Sequence, residues 1–579
     1  MTKEETVSRR KFISGTVGGL IVGAAAGAAA GYSLAPPAAV GPVTTVRETS
    51  TVTVTQTPTP AAKQTMRHAT FLDPSSMDPH KTNDEPTLRF TANLYDTLVK
   101  IGGVPGLWVQ IEPNVAKSWS VSSDGKEYVF EIRRGIKFHD GSMLDAKAVK
   151  YSFDRALTIG QGFMASSVKE FVSGADVLGN YEARVTLSKP FAPFFSALPT
   201  LCIVSPTSVE ANIKSEGPYG DKGDYGTGWL ETHDAGSGPY VLTERRPGEL
   251  TVYGRFADFW GGWGPQYFDE LRYEFVGEVG TLVSKLRTGE SDWGEYWLPE
   301  DSFVELAKPG SGCTVPQWTD TAGTFTWLVN NQNQFLKNKL VRQAMSYAFD
   351  YDTCIRDIWK GGGVPSPGPI PPGMLGYNPA VPMYKRDLTK AKALMEESGF
   401  KPGEITIDAT WGTGQETRRL MAILMQQNFA EIGINLELKE LPWGTWVEQI
   451  ATQDPKDVIA LSPLAGSIAF PDPDDILTRF YYSPLWEKQN VKTYYSCSFY
   501  KNKDVDALIE KGRVAPAAER EAIYKEATRL IIEDAASIWP IWNYTKLVIR
   551  SDIEGFRPLP FYFTNAEIFH RNNWFRVKS

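Results

Sequence analysis

The chain has 579 residues, 42 % hydrophobic and 22 % charged, which are ordinary globular proportions; its length is too great for one core and suggests about three or four domains. A formal charge of −8 with both signs interspersed argues against nucleic acid as a partner, because nucleic acid needs a basic face. Aromatic residues are abundant, 17 Trp, 24 Tyr and 29 Phe, and beyond those that fill a large core some are candidates to line a ligand cleft.

The N-terminus is an address. Ser8-Arg9-Arg10-Lys11-Phe12-Ile13 resembles the twin-arginine export motif, and a Gly/Ala-rich apolar run follows from Ile13 to Ala30. The flanking Ser and Phe favour that route over an ordinary secretory signal. Ala28-Ala29-Ala30 offers small residues for cleavage. No Cys lies near it, so a bacterial-type lipid anchor is not expected. Left uncleaved, the run is an anchor of marginal length for a membrane span. Residues 1–35 are therefore read as signal or anchor. Residues 36–64, rich in Thr and Pro and poor in large apolar side chains, cannot build a core and read as a stalk of the kind often O-glycosylated. A stalk that holds a globular body off a cell surface makes an archaeal surface location the expectation.

From about Thr65 the chain reads as globular. Trp119 and Val121 lead into Ser122-Ser123-Asp124-Gly125, a hairpin signal, and Tyr128, Phe130 and Ile132 alternate along the return strand. Ile136 and Phe138 are expected to form a third short strand, closed by His139-Asp140-Gly141, which are read as turn and packing residues. Asp145 is placed to cap a helix carrying Ala148, Val149, Phe153 and Leu157 on one face. Val341-Arg342-Gln343-Ala344 opens a helix ending near Gly361. Thr389 is expected to cap, and Gly399 to stop, a helix over Leu388 to Gly399. Ile405, Ile407 and Ala409 alternate along a strand, Leu420, Ile423, Leu424 and Ile432 follow helical spacing, Gly433 ends that helix, and Ile434, Leu436 and Leu438 alternate again. Strand, helix and strand at this length make a βαβ unit with a right-handed crossover, so the fold class is α/β. Glu519-Arg520 and Tyr524 sit in the last long helix.

Ligands of α/β lobes bind beyond the carboxyl ends of strands. Trp411 follows one such strand, and Trp443 and Trp446 follow the next. Trp293, Tyr296 and Trp297 follow the segment ending at Asp292, and Trp542 and Tyr544 lie in Ile538–Val548. Each ring alone is more ordinarily a packing residue; as a set they are the candidate ligand contacts. No GxSxG, HExxH or Walker motif occurs, the five His (His68, His80, His139, His233, His570) lack metal-ligand spacing, and no carboxylate spacing singles out a catalytic pair. The expectation is a binding protein with no cofactor and no metal, not an enzyme. A secreted glycoside hydrolase and a stalked surface adhesin are the competing classes. Cys202, Cys313, Cys354 and Cys497 form no CxxC, and their pairing is not legible.

The block Pro113 to Tyr151 closely resembles the signature segment of the family 5 extracellular solute-binding proteins. Weaker pieces follow in family order: Leu94-Tyr95-Asp96-Thr97-Leu98-Val99, Gly236-Ser237-Gly238-Pro239-Tyr240, Phe259-Trp260-Gly261-Gly262, Leu286-Arg287-Thr288-Gly289-Glu290-Ser291-Asp292, and Glu397-Ser398-Gly399-Phe400. The resemblance implies a type II periplasmic-binding-protein fold, two hinged lobes plus a small additional domain. It implies one lobe over 65–100, 201–329 and 536–579, the small domain over 101–200, and the other lobe over 330–535. It also implies an exported monomer that captures an oligopeptide, oligosaccharide or nickel chelate between its lobes and delivers it to ABC permease subunits driven by separate ATPases. Peptide-binding members carry an Asp four residues before the proline of an Asp/Glu-Pro pair, where it meets the peptide's α-amino group. Here the pair is Asp472-Pro473 and that position is Ala469. A buried ammonium without a carboxylate is costly, so a neutral oligosaccharide becomes the favoured cargo unless Asp84, Glu85 or Glu295 substitutes. Asp472, Asp474 and Asp475 are read as a solvated loop or a helix cap.

Overall fold

The computed structural model describes residues 64–81, 85–102, 110–162, 168–264, 267–295, 298–319, 324–450, 455, 459–464, 470–487, 497–556 and 575–576. All lie in the unit Ala61–Ser579. The twin-arginine segment and the stalk fall outside the described residues.

A seven-stranded sheet runs in the order Cys313–Thr314, Val548–Arg550, Trp293–Gly294, Thr65–Thr70, Glu270–Phe275, Leu250–Arg255, Tyr240–Arg246. Its central strand, Thr65–Thr70, is parallel to both neighbours. Parallel strands need a crossover; helix Val279–Thr288 provides it between Glu270–Phe275 and Trp293–Gly294, ending at the left-handed Gly289.

A second sheet has six strands, Gly363–Val364, Ser537–Asn543, Phe325–Val329, Leu461–Leu464, Ile405–Gly412 and Ile434–Leu441. The last two run parallel in register from Ile405 opposite Ile434 to Gly412 opposite Leu441, joined by helix Glu416–Ala430. This is the βαβ unit the alternation predicts: Ile405, Ile407, Ala409 and Trp411 bury one face. Gly433 turns the chain at φ 78°, and a Cβ there would stand 2.7 Å from Pro402 Cα, so only glycine fits. Strand Phe325–Val329 already belongs to this sheet, and the chain leaves it only after Asn543, later than residue 535.

The small four-stranded antiparallel sheet, ordered Ala116–Val121, Glu127–Ile132, Glu182–Leu187, Val172–Gly179, packs helix Ala146–Ile159 over its core. Asp145 caps that helix, accepting from the Lys147 and Ala148 N–H groups at 2.8 and 3.1 Å. The third strand expected at Ile136–Phe138 is not one. The Gly135 turn and the bonds Phe138 N–H to Ser142 O and Leu144 N–H to Ile136 O fold that segment on itself, leaving one bridge between Lys137 and Met143. The ladder position beside Glu127–Ile132 goes to Glu182–Leu187 instead. Ile136 and Phe138 still reach the core. Asp140 accepts from Ser142, Ser205 and Ser208, and His139 bonds Asp234 and the Gly238 carbonyl, so both hold turns together.

Two helix readings change. The helix opened by Val341 spans Lys339–Ala348, breaks at Phe349 and restarts on the Asp350 cap. The cap of Leu388–Ser398 is Asp387, whose extended backbone lets its carboxylate accept from Lys390 N–H at 2.9 Å; Thr389 is already inside the helix. Gly399 ends it as expected. All four cysteines are buried and unpaired. No helix among the described residues is long and apolar enough to cross a membrane.

Candidate ligand cleft

Two passages join the large sheets. Gln317–Trp318 pairs antiparallel with Thr545–Lys546, so the outgoing and returning chains run side by side. The Tyr544 N–H donates to Gly362 O at 2.8 Å beside them. In the second sheet Ile405–Gly412, Ile434–Leu441, Leu461–Leu464 and Ser537–Asn543 all point the same way. Their carboxyl ends, with the start of Phe325–Val329, form the edge at which the passages enter. In the first sheet the corresponding edge is Thr70, Phe275 and Gly294, with Glu295 next in the chain. Carboxyl edges of parallel strands are where α/β folds bind ligands.

The first edge is electrostatically closed. Glu295, 1 % exposed, takes His68 Nε2 at 2.9 Å, Arg89 Nη1 at 3.1 Å and the Thr70 hydroxyl. The other His68 nitrogen faces the Trp293 carbonyl at 3.2 Å. Burial alone would raise the Glu295 pKa, but the Arg89 charge, then His68 and Thr70, bring it down to about 2. Glu295 is thus fully engaged with protein partners. Trp293 lies wholly in the core, its ring 4.6 Å from that of His68.

The second edge differs. Trp411 and Trp542 are buried, yet neither indole Nε1 has a hydrogen-bond partner among the described residues, and the same holds for the hydroxyl of Thr410. Arg418, in the first turn after the Trp411 strand, lies over the rings of Phe325 at 5.9 Å and Trp446 at 5.7 Å. Tyr544 is half-buried on the returning passage. The structure therefore brings Trp411, Trp446 and Trp542 to one lobe and leaves Trp293 in the other. Trp443 opens helix Trp443–Ile450 and Glu85 opens helix Glu85–Thr91, but their side chains, and Asp84, Tyr296, Trp297 and Ala469 entirely, lie outside the described residues.

Sequence reasoning missed Arg418, Phe325 and Thr410; the usable signal was position, since Phe325 and Thr410 sit within two residues of a strand's cleft end and Arg418 lies in the first turn of the helix that follows. It read the acidic cluster only in part. Asp472 does cap helix Pro473–Tyr481, but it is not solvated: it is gripped by Arg520 at 2.6 and 3.0 Å, Asp474 takes Arg513 Nε at 2.9 Å, and Asp475 takes Arg479 Nε at 2.7 Å. Buried charges survive only when paired in this way. Among the described residues no His, Cys, Asp and Glu side chains cluster as metal ligands.

Residues 110–487 match the family described as bacterial extracellular solute-binding proteins, family 5 middle. The probable D,D-dipeptide-binding periplasmic protein DdpA of Escherichia coli K12 is 28 % identical over 489 residues, 84 % of this chain and 89 % of that one. Probable di/tripeptide-binding protein 5 of Pseudomonas aeruginosa UCBPP-PA14 is 27 % identical over 525 residues, 87 % and 94 % of the two chains. Among solved structures, DppA of Helicobacter pylori in complex with the peptide STSA superposes with a TM-score of 0.73 at 24 % identity, over 89 % of this chain and 99 % of that one. The Listeria monocytogenes substrate-binding protein CtaP does so with 0.74 at 22 %, over 89 % and 100 %.

Proposed function

The chain belongs to the family 5 extracellular solute-binding proteins, and from that premise we infer that its cargo is a short peptide held at the carboxyl edge of the second sheet. The protein is a substrate-binding receptor of an ABC importer, with the type II periplasmic-binding fold and no catalytic step of its own. The observation that carries the peptide reading is the set of buried indole donors in the second sheet, Trp411 and Trp542 with Trp327 and Trp539, without acceptors among the described residues. A buried donor left unsatisfied costs about 1–3 kcal/mol, so the edge favours a ligand rich in carbonyl and carboxylate oxygens. Phe325, Trp446 and the Arg418 guanidinium offer flat faces to apolar side chains beside it. The peptide-binding names of the curated relatives favour the same class.

Ligand that prefers the closed arrangement draws the lobes together about the two passages, and the closed form docks on the permease subunits. In this reading the lobes are those the resemblance implies, 65–100 with 201–329 and 536–579 against 330–535, except that strands Phe325–Val329 and Ser537–Asn543, which pair within the second sheet, go with the second lobe. A twin-arginine leader exports the chain, and the Thr/Pro stalk holds it, as a monomer, at the outer face of the membrane. A neutral oligosaccharide is the second reading, favoured by Ala469 in place of an amine-binding Asp and by the indole rings.

Calorimetry with dipeptides, tripeptides, neutral oligosaccharides and a nickel–histidine chelate separates these. Tight peptide binding with no sugar response is expected. Sugar binding without peptide binding overturns the peptide reading for the second one, and binding of the chelate alone overturns both.

A further inference from the structure

The small domain is fastened to the first lobe and docked on the second. Towards the first lobe the attachment is covalent and deep. Thr97 bridges Cys202 where the chain enters and leaves, and Arg155 grips Asp78 with two bonds of 2.6 and 2.8 Å, both side chains fully buried. A pair of that kind does not open without a large loss.

The contact with the second lobe is of another kind and converges on Arg513, near the end of helix Lys503–Val514. Its own lobe holds the guanidinium through Asp474 at 2.9 Å and Thr478 at 2.7 Å. The same side chain reaches into the small domain. Nη1 stands 3.7 Å from Glu170 Oε1, and the guanidinium carbon is 5.8 Å from the Phe171 ring centre. The Ala192 N–H donates to the Arg513 carbonyl at 2.7 Å. Phe470 of the second lobe inserts into the small-domain core, 1 % exposed, and Ile111 packs against both cores. Glu170 is half exposed, so its attraction for Arg513 is weak and screened, suited to forming and breaking.

We propose that this contact is a latch: the small domain moves as one body with the first lobe, and Arg513 with Glu170 and Ala192 fastens it to the second lobe, setting the open–closed balance without touching ligand. Asp474 gives the latch a short path to the cleft. It lies in the first turn of Pro473–Tyr481, next in the chain after strand Leu461–Leu464, whose carboxyl end is at the cleft edge. The latch does not depend on the class of cargo, and its test needs none.

Hydrogen exchange of the full chain, without added ligand, reads it at the Ala192 amide. Glu170→Arg sets like charges across the contact on an exposed side chain. The expected result is about threefold to tenfold faster exchange at Ala192, with the small-sheet amides of Phe130 and Val185 and the melting temperature unchanged. Glu170→Gln should fall between the two proteins, and about 1 M salt should move wild type towards Glu170→Arg. Unchanged Ala192 exchange in Glu170→Arg overturns the latch. So does acceleration shared by Ala192, Phe130 and Val185, which would mean that the small domain itself opens.

Discussion

The two large sheets present the same topological feature, the carboxyl edge of parallel strands, and finish it in opposite ways. At the first edge a carboxylate, Glu295, is saturated by His68, Thr70 and Arg89. At the second, indole and hydroxyl groups of Trp411, Trp542 and Thr410 are buried without partners among the described residues. A completed polar network fixes structure and has nothing left to give a ligand. Unmatched donors do the reverse: they cost stability in the empty protein and return it when an acceptor arrives. The topology alone marks both edges as sites, and the hydrogen-bond accounting tells them apart.

The largest expected effect tests the first edge. Glu295→Ala strands Arg89 and His68 in the core. Removing one partner of a buried charge network costs about 3–5 kcal/mol, which guanidinium denaturation should show as a lower midpoint. Glu295→Ala that retained wild-type stability would mean that this edge is no more closed than the other.

Acid should find the same weak point. The Glu295 pKa falls from an ordinary 4.5 to about 2 on folding, because Arg89, His68 and Thr70 outweigh burial. A depressed carboxylate contributes stability that is fully present above the unfolded value and is lost as pH falls through the folded one. That contribution, on the order of a few kcal/mol, should therefore disappear between about pH 4.5 and pH 2 in melts of wild type, and the slope over that window should be shallower in Glu295→Gln.

A matched pair of tryptophan substitutions then sets edge against edge. Trp411→Phe removes an indole N–H that bonds nothing among the described residues and keeps most of the ring. Stability should shift by less than about 1 kcal/mol, while peptide affinity should fall about fivefold to thirtyfold, the worth of one good hydrogen bond in a dry site. Trp293→Phe, in the core of the other lobe, should lower the melting temperature and leave affinity within about twofold of wild type. Calorimetry beside thermal melts reads both quantities, and an affinity loss in Trp293→Phe equal to that of Trp411→Phe would erase the contrast.

How much of this the sequence disclosed follows from how local each feature is. The βαβ unit from Ile405 to Leu441 was legible because alternation, helical spacing and Gly433 all agree within fewer than forty residues. The Asp145 cap was legible because a cap is set by its nearest neighbours. The strand expected at Ile136–Phe138 failed because apolar alternation does not say which partner wins the ladder, and Glu182–Leu187 won it from about fifty residues away. Glu295 stood in sequence as one acid among many. Its meaning comes from His68 and Arg89, 227 and 206 positions distant. Asp472 was legible as a helix cap, but its burial against Arg520 and that of Asp474 against Arg513 were not, for the same reason, the arginines lying 48 and 39 residues on. The tryptophans at strand ends were legible as positions, but which lobe left its indoles unmatched was not.

The smallest effect guards the comparison from the outside of the second sheet. Lys439 pairs with Asp408 at 3.1 Å across the strands Ile405–Gly412 and Ile434–Leu441 and stands opposite Thr410, the neighbour of Trp411, but its side chain is 48 % exposed. Water screens the pair, and Asp408 keeps a second partner in the Ala460 N–H at 2.8 Å. Lys439→Met should change stability by no more than about 0.5 kcal/mol and leave peptide affinity alone, as urea melts and calorimetry would show. If Lys439→Met weakened binding as much as Trp411→Phe, proximity to the strand end and general charge would explain ligand binding as well as unmatched donors do. If only Trp411→Phe weakens it, what distinguishes the second edge is the buried indole N–H itself.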